Sequence, residues 1–228
     1  MRNRLIWTIG TGILAIVAYI ALAIASYAYY PAPFNPRDNW LSDLGNSALN
    51  PSGAFLYRFD GVLVGVLLAL FFVGLRPLAR GQEKRVKIFL ALAEAFGFIA
   101  GVALAMTGVF SEGQHASHWL WSAVLFVCVG TAVFFSGFAV LRHPGFSRRL
   151  SYLAFALTVI DWAMAAFHGT RFLEWVLVTL LLCYVGALSY RMMFIDKMLR
   201  SVRTGKYPSR ESQEMQRVFQ GLPQKSRC

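Results

Sequence analysis

The chain has 228 residues, of which 57% are hydrophobic, 15% aromatic and only 14% charged, and its mean hydropathy is +0.53. Soluble domains carry about 25% charged residues, so this composition excludes a disordered chain, a coiled coil and nearly every soluble globular fold. The formal net charge of +11 would suit nucleic acid. Apolar stretches of nearly bilayer length instead favour an integral membrane protein that has no nucleic-acid partner.

Six stretches qualify as membrane spans, since a bilayer core needs about 20 mostly apolar residues in a helix. They cover residues 5–30, 59–75, 88–110, 119–141, 150–167 and 172–190. We therefore expect an all-α, polytopic membrane protein whose residues 1–195 form a six-transmembrane-helix bundle. Residues 196–228 are predicted to be a basic cytoplasmic tail, whose charges would attract anionic lipid.

The basic residues predict the orientation of the bundle. Of the 22 lysines and arginines, 19 lie at the N-terminus, in the second-to-third and fourth-to-fifth connections and in the tail. Because lysine and arginine accumulate in cytoplasmic segments, both termini are predicted to be cytoplasmic, with the protein in the plasma membrane. The first apolar run is longer than the roughly 7–15 residues of a signal-peptide core, which favours an uncleaved first span.

The first extracytoplasmic loop is long for a simple connection and contains four prolines, which prevent it from continuing as a helix. Its apolar side chains predict that it folds over the bundle. Because it also carries Ser42 and Asp43, we expect it to cover a polar, ligand-binding pocket, to which Asp60 at the start of the second span contributes.

Two pairs of glycines have the spacing that lets helices approach closely. Gly61 and Gly65 lie in the second span, and Gly97 and Gly101 in the third. We interpret both pairs as helix-packing positions rather than as parts of a site.

The second extracytoplasmic loop contains Glu112, His115 and His118, which share one face if the fourth helix begins near residue 111. With His168 from the third loop, the histidines could hold a zinc ion with one open coordination position. Asp43 or Glu112 would then act as the general base of a metal-dependent hydrolase. Alternatively, the histidines are interfacial residues that hydrogen-bond to loops and lipid headgroups.

Asp161 lies inside the fifth predicted span, seven residues before His168, so two helical turns place both on one face. An ionisable group at membrane depth costs roughly 2.5–3.5 kcal/mol and usually faces a partner or a wet cavity. Asp161 is therefore either a helix–helix contact or a ligand-binding residue, together with Arg171 of the third loop. With Glu94 it could also relay protons in a small carrier.

Four short motifs occur in and beside the loops of this chain. They are Trp40-Leu41-Ser42-Asp43-Leu44-Gly45, Asn50-Pro51, Phe59-Asp60-Gly61, and Gly108-Val109-Phe110 followed by His115 or His118. Together they resemble the domain of unknown function 998 family, a group of prokaryotic six-helix membrane proteins, over residues 5–195. The sequence departs from the family at Asp60, where we would expect asparagine, and at Ser111, where proline is common. The resemblance implies the six-helix fold and a prokaryotic inner membrane, but no activity.

The Ser-Asp-x-Gly loop is also similar to that of eukaryotic six-helix proteins of GPI-lipid remodelling and autophagy modulation, which implies lipid handling. Because polar residues of the three predicted extracytoplasmic loops converge over an apolar bundle, our leading hypothesis is a protein that binds or remodels a lipid or amphiphile at the extracytoplasmic face, with membrane lipids as its partners. The alternatives are a zinc-dependent membrane hydrolase, a small proton-coupled carrier and a structural partner subunit. The sequence predicts no particular oligomeric state.

Overall fold

The computed structural model describes residues 2–143, 145–166 and 170–203, and all regular structure in these ranges is helical. The six α-helices are α1 (Arg2–Tyr27), α2 (Ala54–Val73), α3 (Lys84–Val109), α4 (His115–Arg142), α5 (Arg148–Ala166) and α6 (Arg171–Arg203). Short 3-10 turns cover Leu41–Gly45, Arg76–Ala79 and Glu112–Gln114. The predicted all-helical, six-helix architecture is confirmed.

Five segments of the described chain are long and apolar enough to cross a membrane. They are Leu5–Tyr27, Ala54–Ala79, Lys84–Val109, Glu112–Arg142 and Arg171–Lys197. The 19-residue α5 is less apolar because it begins with Arg148 and Arg149 and contains Asp161. It still packs beside α4 and α6 as a member of the bundle. The orientation of the termini remains a prediction from the charge distribution.

The last helix is longer than predicted. α6 continues to Arg203, well past the expected end of its span at Tyr190 and into the predicted tail. Its final part contains neither glycine nor proline, so nothing in the sequence interrupts the backbone hydrogen bonds after the apolar stretch has ended. The rest of the predicted tail lies outside the described residues.

The helices form a ring in which each packs against its neighbours in sequence, and α6 closes the ring against α1. One half of the ring is filled by large side chains such as Phe71, Phe72 and Tyr184, all completely buried. There the Tyr184 and Ser136 hydroxyl groups lie 2.7 Å apart and join α6 to α4 across the ring. The other half of the bundle, along the helix axes, lies where α1 leads into the first loop. We call this end of the bundle the loop end.

Glycines set the close crossing of α2 and α3. A Cβ atom on Gly65 would lie 2.5 Å from both the backbone nitrogen of Ala105 and the carbonyl oxygen of Gly101. A Cβ on Gly61 would lie 3.0 Å from the Cα of Gly108. Gly97 accommodates the ring of Phe72 from α2. The predicted packing role of both glycine pairs is therefore confirmed.

Candidate functional site

The first loop folds onto the loop end of the bundle, as its apolar residues predicted. Leu41 and Leu44 in its 3-10 turn are only 6% and 2% exposed. Their burial holds the turn Leu41–Gly45 over the interior of the ring, where Ser42 and Gly45 face a cavity.

Asn50 fixes the position of this loop. Its side chain is completely buried, and its Nδ2 donates to the carbonyl oxygens of Leu44, at 3.0 Å, and Ser26, at 3.2 Å. Its Oδ1 accepts from the backbone N–H of Gly53 at 3.1 Å. One side chain thus joins the end of α1, the 3-10 turn and the start of α2. The sequence showed Asn50 only as part of a loop motif and gave no indication of this role.

The first turn of α6 holds the loop from the other side. The Glu174 carboxyl group accepts a 2.7 Å hydrogen bond from the backbone N–H of Leu41. The indole of Trp175 donates to the carbonyl oxygen of Asn39 at 3.0 Å and packs against Phe34, with ring centroids 5.4 Å apart. Glu174 was not among the predicted site residues, because its partner lies 133 positions away in the sequence.

Two adjoining cavities lie beneath the loop. The inner one, of about 160 Å³, is bordered by α1, α2, α3, α4 and α6, and the outer one, of about 300 Å³, lies at the loop ends of α4, α5 and α6. Both are lined by Ser42, Glu112, His118, Ser122, Phe126 and Glu174. The two cavities adjoin each other through these shared residues, and together we call them the amphipathic cavity.

Polarity changes along the amphipathic cavity. Its polar residues lie near the loop end, whereas its inner lining is apolar and includes Phe72, Val129, Val133 and Val185. His118 and Val133, at the two ends of this lining on α4, are 15 positions apart. At about 1.5 Å per residue they are separated by about 22 Å along the helix axis. This length exceeds half of the roughly 30 Å core of a bilayer.

Three carboxyl groups line the amphipathic cavity, on Asp60, Glu112 and Glu174. Asp60 is 1% exposed, and its Oδ1 has no hydrogen-bond partner in the described part of the chain. Glu112 accepts a long hydrogen bond, 3.4 Å, from the side-chain amide of Asn46. Within the described residues none of the three carboxyl groups forms an ion pair with lysine or arginine.

Asp43 lies just outside this lining and stabilises the 3-10 turn. Its Oδ2 accepts from the backbone N–H of Trp40 at 3.0 Å, and its carboxyl group contacts that of Glu112. Burial, followed by the negative charges of Asp43 and Glu112, raises the pKa of the Tyr30 phenol above its usual value. Acidic side chains therefore lie on the loop side of the loop end as well as inside the cavity.

The histidines occupy the outer part of the amphipathic cavity. The Nδ1 of His118 lies 2.8 Å from the carbonyl oxygen of Phe110. Since a carbonyl oxygen only accepts, Nδ1 carries a hydrogen and donates it to Phe110. His115 is exposed at the rim, and His168 lies outside the described residues. No group of three metal-ligating side chains occurs among the described residues, so the zinc site built on His168 stays a prediction.

Two predicted ligand-binding residues lie away from the cavity lining. Asp161 is completely buried between α5 and α4, against Gly130, where a Cβ atom would overlap its carboxyl group. The neighbouring Thr158 donates to the carbonyl oxygen of Gly130 at 3.1 Å. Arg171 is the exposed first residue of α6. α5 turns Asp161 toward α4 and contributes only Met164 to the described lining.

The family of the chain is established by comparison with known proteins. A family profile described as "Protein of unknown function (DUF998)" matches residues 13–193, about four fifths of the 228-residue chain. The chain therefore belongs to this family, and the resemblance carried by its loop motifs is confirmed. No curated protein and no solved structure matches it. The matched segment contains every described residue that lines the amphipathic cavity.

Proposed function

We propose that this member of the family binds a membrane amphiphile, with the headgroup at the loop end and an apolar chain in the inner part of the amphipathic cavity. The observation that carries the proposal is the cavity itself, which is polar at one end, apolar over the remainder and enclosed by helices of membrane-spanning length. A dry apolar cavity of about 150 Å³ is already large enough to hold a small hydrocarbon. The inner cavity alone reaches this size.

The shape of the cavity favours binding over transport. A carrier needs a path that can open at either end of the bundle, whereas the inner lining here ends at Phe72, Val133 and Val185. On the side of these residues that faces away from the first loop, the hydroxyl groups of Tyr184 and Ser136 join α6 to α4. The half of the bundle that would have to open for transport is therefore closed by completely buried aromatic side chains and by this hydrogen bond.

The outer cavity supports entry from the bilayer. It is lined by Trp119, which is 61% exposed, and by the half-buried Ser122 and Ala123 on α4. An amphiphile could reach the cavity sideways along α4, past Trp119, without leaving the hydrocarbon phase. By the distribution of basic residues, we assign this opening to the extracytoplasmic leaflet of a prokaryotic inner membrane.

A pair of valines on α4 gives a matched test. Val129 lines the inner cavity, whereas Val127, two residues earlier, does not line it and is 47% exposed. We expect Val129→Phe to occupy the space of the chain and remove most of the lipid that co-purifies in mild detergent. Val127→Phe should retain it. Lipid per protein chain is measured by extraction and mass spectrometry.

Overpacking costs typically 1–3 kcal/mol, so thermal unfolding must show that the Val129→Phe protein is folded. Val178→Phe, at a half-buried position of the same cavity on α6, provides a second variant with more room to adjust. Equal lipid content in the wild type and in all three variants, or no lipid in the wild type, would overturn the proposal.

A further inference from the structure

We infer that the amphiphile carries a protonated amine in its headgroup, which is received by Asp60, Glu112 and Glu174. This inference rests on the proposed function and adds the chemical class of the ligand. The three carboxyl groups belong to different elements: Asp60 to α2, Glu112 to the 3-10 turn before α4, and Glu174 to α6. They meet at the amphipathic cavity only in the assembled bundle.

The charge balance of the cavity favours a cation. Arg58 is the basic residue of its described lining, and its guanidinium group is turned toward α3. There it donates to the carbonyl oxygens of Gly108 and Val109 at 3.3 and 3.1 Å. The acidic side chains thus form no ion pair in the described residues, and the only basic residue that acts on one of them electrostatically there is Arg171, which lies near Glu112 but outside the described lining. A headgroup with only negative charge would be repelled at this position, whereas an ammonium group would be attracted.

Asp60 supplies an independent observation. Its side chain is almost completely buried, it lines the cavity, and its Oδ1 has no hydrogen-bond partner in the described part of the chain. A buried polar atom without a partner is costly, and a carboxylate more so than a neutral group. A donor delivered by the ligand would satisfy this oxygen, and a positively charged donor would also balance its charge.

The other groups around the headgroup position are compatible with an ammonium ion. Tyr19 and Tyr57 line the cavity beside Asp60, with their rings in edge-to-face contact at a centroid distance of 6.5 Å. Aromatic faces attract ammonium groups, and more strongly where water is excluded. His118 lines the same space, and its Nδ1 is already bound to the carbonyl oxygen of Phe110.

The test compares lipids with and without a protonated amine in the headgroup. The full-length protein is purified in detergent, and its binding to three lipids with the same acyl chains is measured by native mass spectrometry. The lipids are phosphatidylethanolamine, its N-acetyl derivative, which lacks the positive charge, and phosphatidylglycerol. We expect at least tenfold tighter binding of phosphatidylethanolamine than of either other lipid. Free ethanolamine should compete poorly, because it cannot occupy the apolar part of the cavity.

Two conservative variants assign the preference to residues. Asp60→Asn and Glu174→Gln should each reduce the preference for phosphatidylethanolamine several-fold without weakening phosphatidylglycerol. The glutamine retains a carbonyl oxygen that can accept from the Leu41 N–H, so the loop contact of Glu174 is preserved. Asp38→Asn, which changes an exposed carboxylate of the same loop, should leave the preference unchanged. Thermal unfolding of each variant confirms that it is folded.

The outcomes separate this inference from the proposed function. Equal binding of the three lipids, with lipid still displaced by Val129→Phe, would overturn the amine and leave amphiphile binding intact. If none of the three lipids binds, both the amine inference and the proposed amphiphile binding are overturned. Displacement of the lipid by free ethanolamine at comparable concentration would show that a soluble amine is recognised, which would overturn the assignment to an amphiphile.

Discussion

Replacing Asn50 with alanine tests whether one buried side chain fixes the first loop, which covers the amphipathic cavity. The substitution removes the hydrogen bonds to the carbonyl oxygens of Leu44 and Ser26 and the bond accepted from the N–H of Gly53. Each is worth about 1 kcal/mol net, and buried backbone groups left without a partner add to the cost. We expect a loss of about 3 kcal/mol in the free energy of unfolding.

Two further variants refine this test. Ser26→Ala removes a hydroxyl group that reaches the carbonyl oxygens of Gly53, at 3.0 Å, and Leu44, at 3.3 Å, with a single hydrogen. We expect a smaller loss from it, about 1 kcal/mol. Asn50→Asp keeps the acceptor for Gly53 but directs a second acceptor at two carbonyl oxygens. It should therefore be at least as destabilising as alanine at neutral pH.

Denaturant or thermal unfolding in detergent measures these differences in stability. The rate of lipid exchange from the purified protein measures how firmly the first loop closes the cavity. A loosened loop should release bound lipid faster in Asn50→Ala than in the wild type. An Asn50→Ala protein within 1 kcal/mol of the wild type, or no less stable than Ser26→Ala, would refute the argument, because the cost is predicted from the number of buried groups left unpaired.

Two other predictions concern the frame around the cavity. Gly65→Ala should destabilise the bundle by about 2 kcal/mol, because its Cβ would lie 2.5 Å from backbone atoms of α3 that cannot rotate away. Gly10→Ala, whose Cβ would have nothing within 4 Å, should be neutral or slightly stabilising. Equal effects of the two substitutions on thermal unfolding would contradict this prediction. Burial lowers the pKa of His143, in the connection after α4, to about 4. The folded state therefore keeps this ring neutral while the unfolded chain is protonated below its ordinary pKa of 6.5, so the contribution of His143 to the free energy of unfolding should fall by about 2 kcal/mol between pH 7 and pH 5. His143→Gln should lack this loss and His115→Gln, at an exposed position, should retain it; identical pH profiles of unfolding would refute the assignment.

The anchoring of the loop by α6 links the fold to the proposed binding. Glu174 both holds the backbone of Leu41 and lines the amphipathic cavity. A ligand that approaches this carboxylate would therefore compete with, or strengthen, the contact that keeps the loop in place. If the proposed ligand binds, the first turn of α6 would couple its binding to the position of the first loop.

The metal-dependent alternative depends on a part of the chain that the structure does not describe. His115 and His118 both line the outer cavity, but the third predicted ligand, His168, is not among the described residues. Metal content of the purified protein and of a His115→Ala/His118→Ala double variant tests this alternative without assuming an activity. About one zinc per chain, lost in the double variant, would favour the hydrolase.

Much of the architecture follows from the sequence. Apolar stretches of bilayer length predict the six helices, because a helix satisfies its backbone hydrogen bonds internally. The glycine pairs predict the close crossing of α2 and α3, since only residues without side chains allow backbones to approach so closely. The apolar residues Leu41 and Leu44 predict that the first loop packs on the bundle, and four loop motifs carry the resemblance to the family.

The site was predicted only in part, because residues distant in sequence meet there. Ser42, Asp60 and Glu112 line the cavity, but Glu174 and Tyr19 enter it from the last and first helices, which sequence spacing could not pair. The rotation of each helix about its own axis decides which side chains face inward. That rotation is set by packing against neighbouring helices, and in a bundle apolar on nearly every face the sequence pattern does not reveal it.

Asp161 shows the converse case, a residue that the sequence predicted for the site and that does not line the cavity in the structure. As a carboxyl group at membrane depth it was a reasonable ligand-binding residue, yet α5 is rotated so that Asp161 packs against Gly130 of α4. The sequence by itself thus determined the number of helices and the family. Only the tertiary structure decided which polar groups face a common cavity, because that depends on how six separately stable helices turn toward one another.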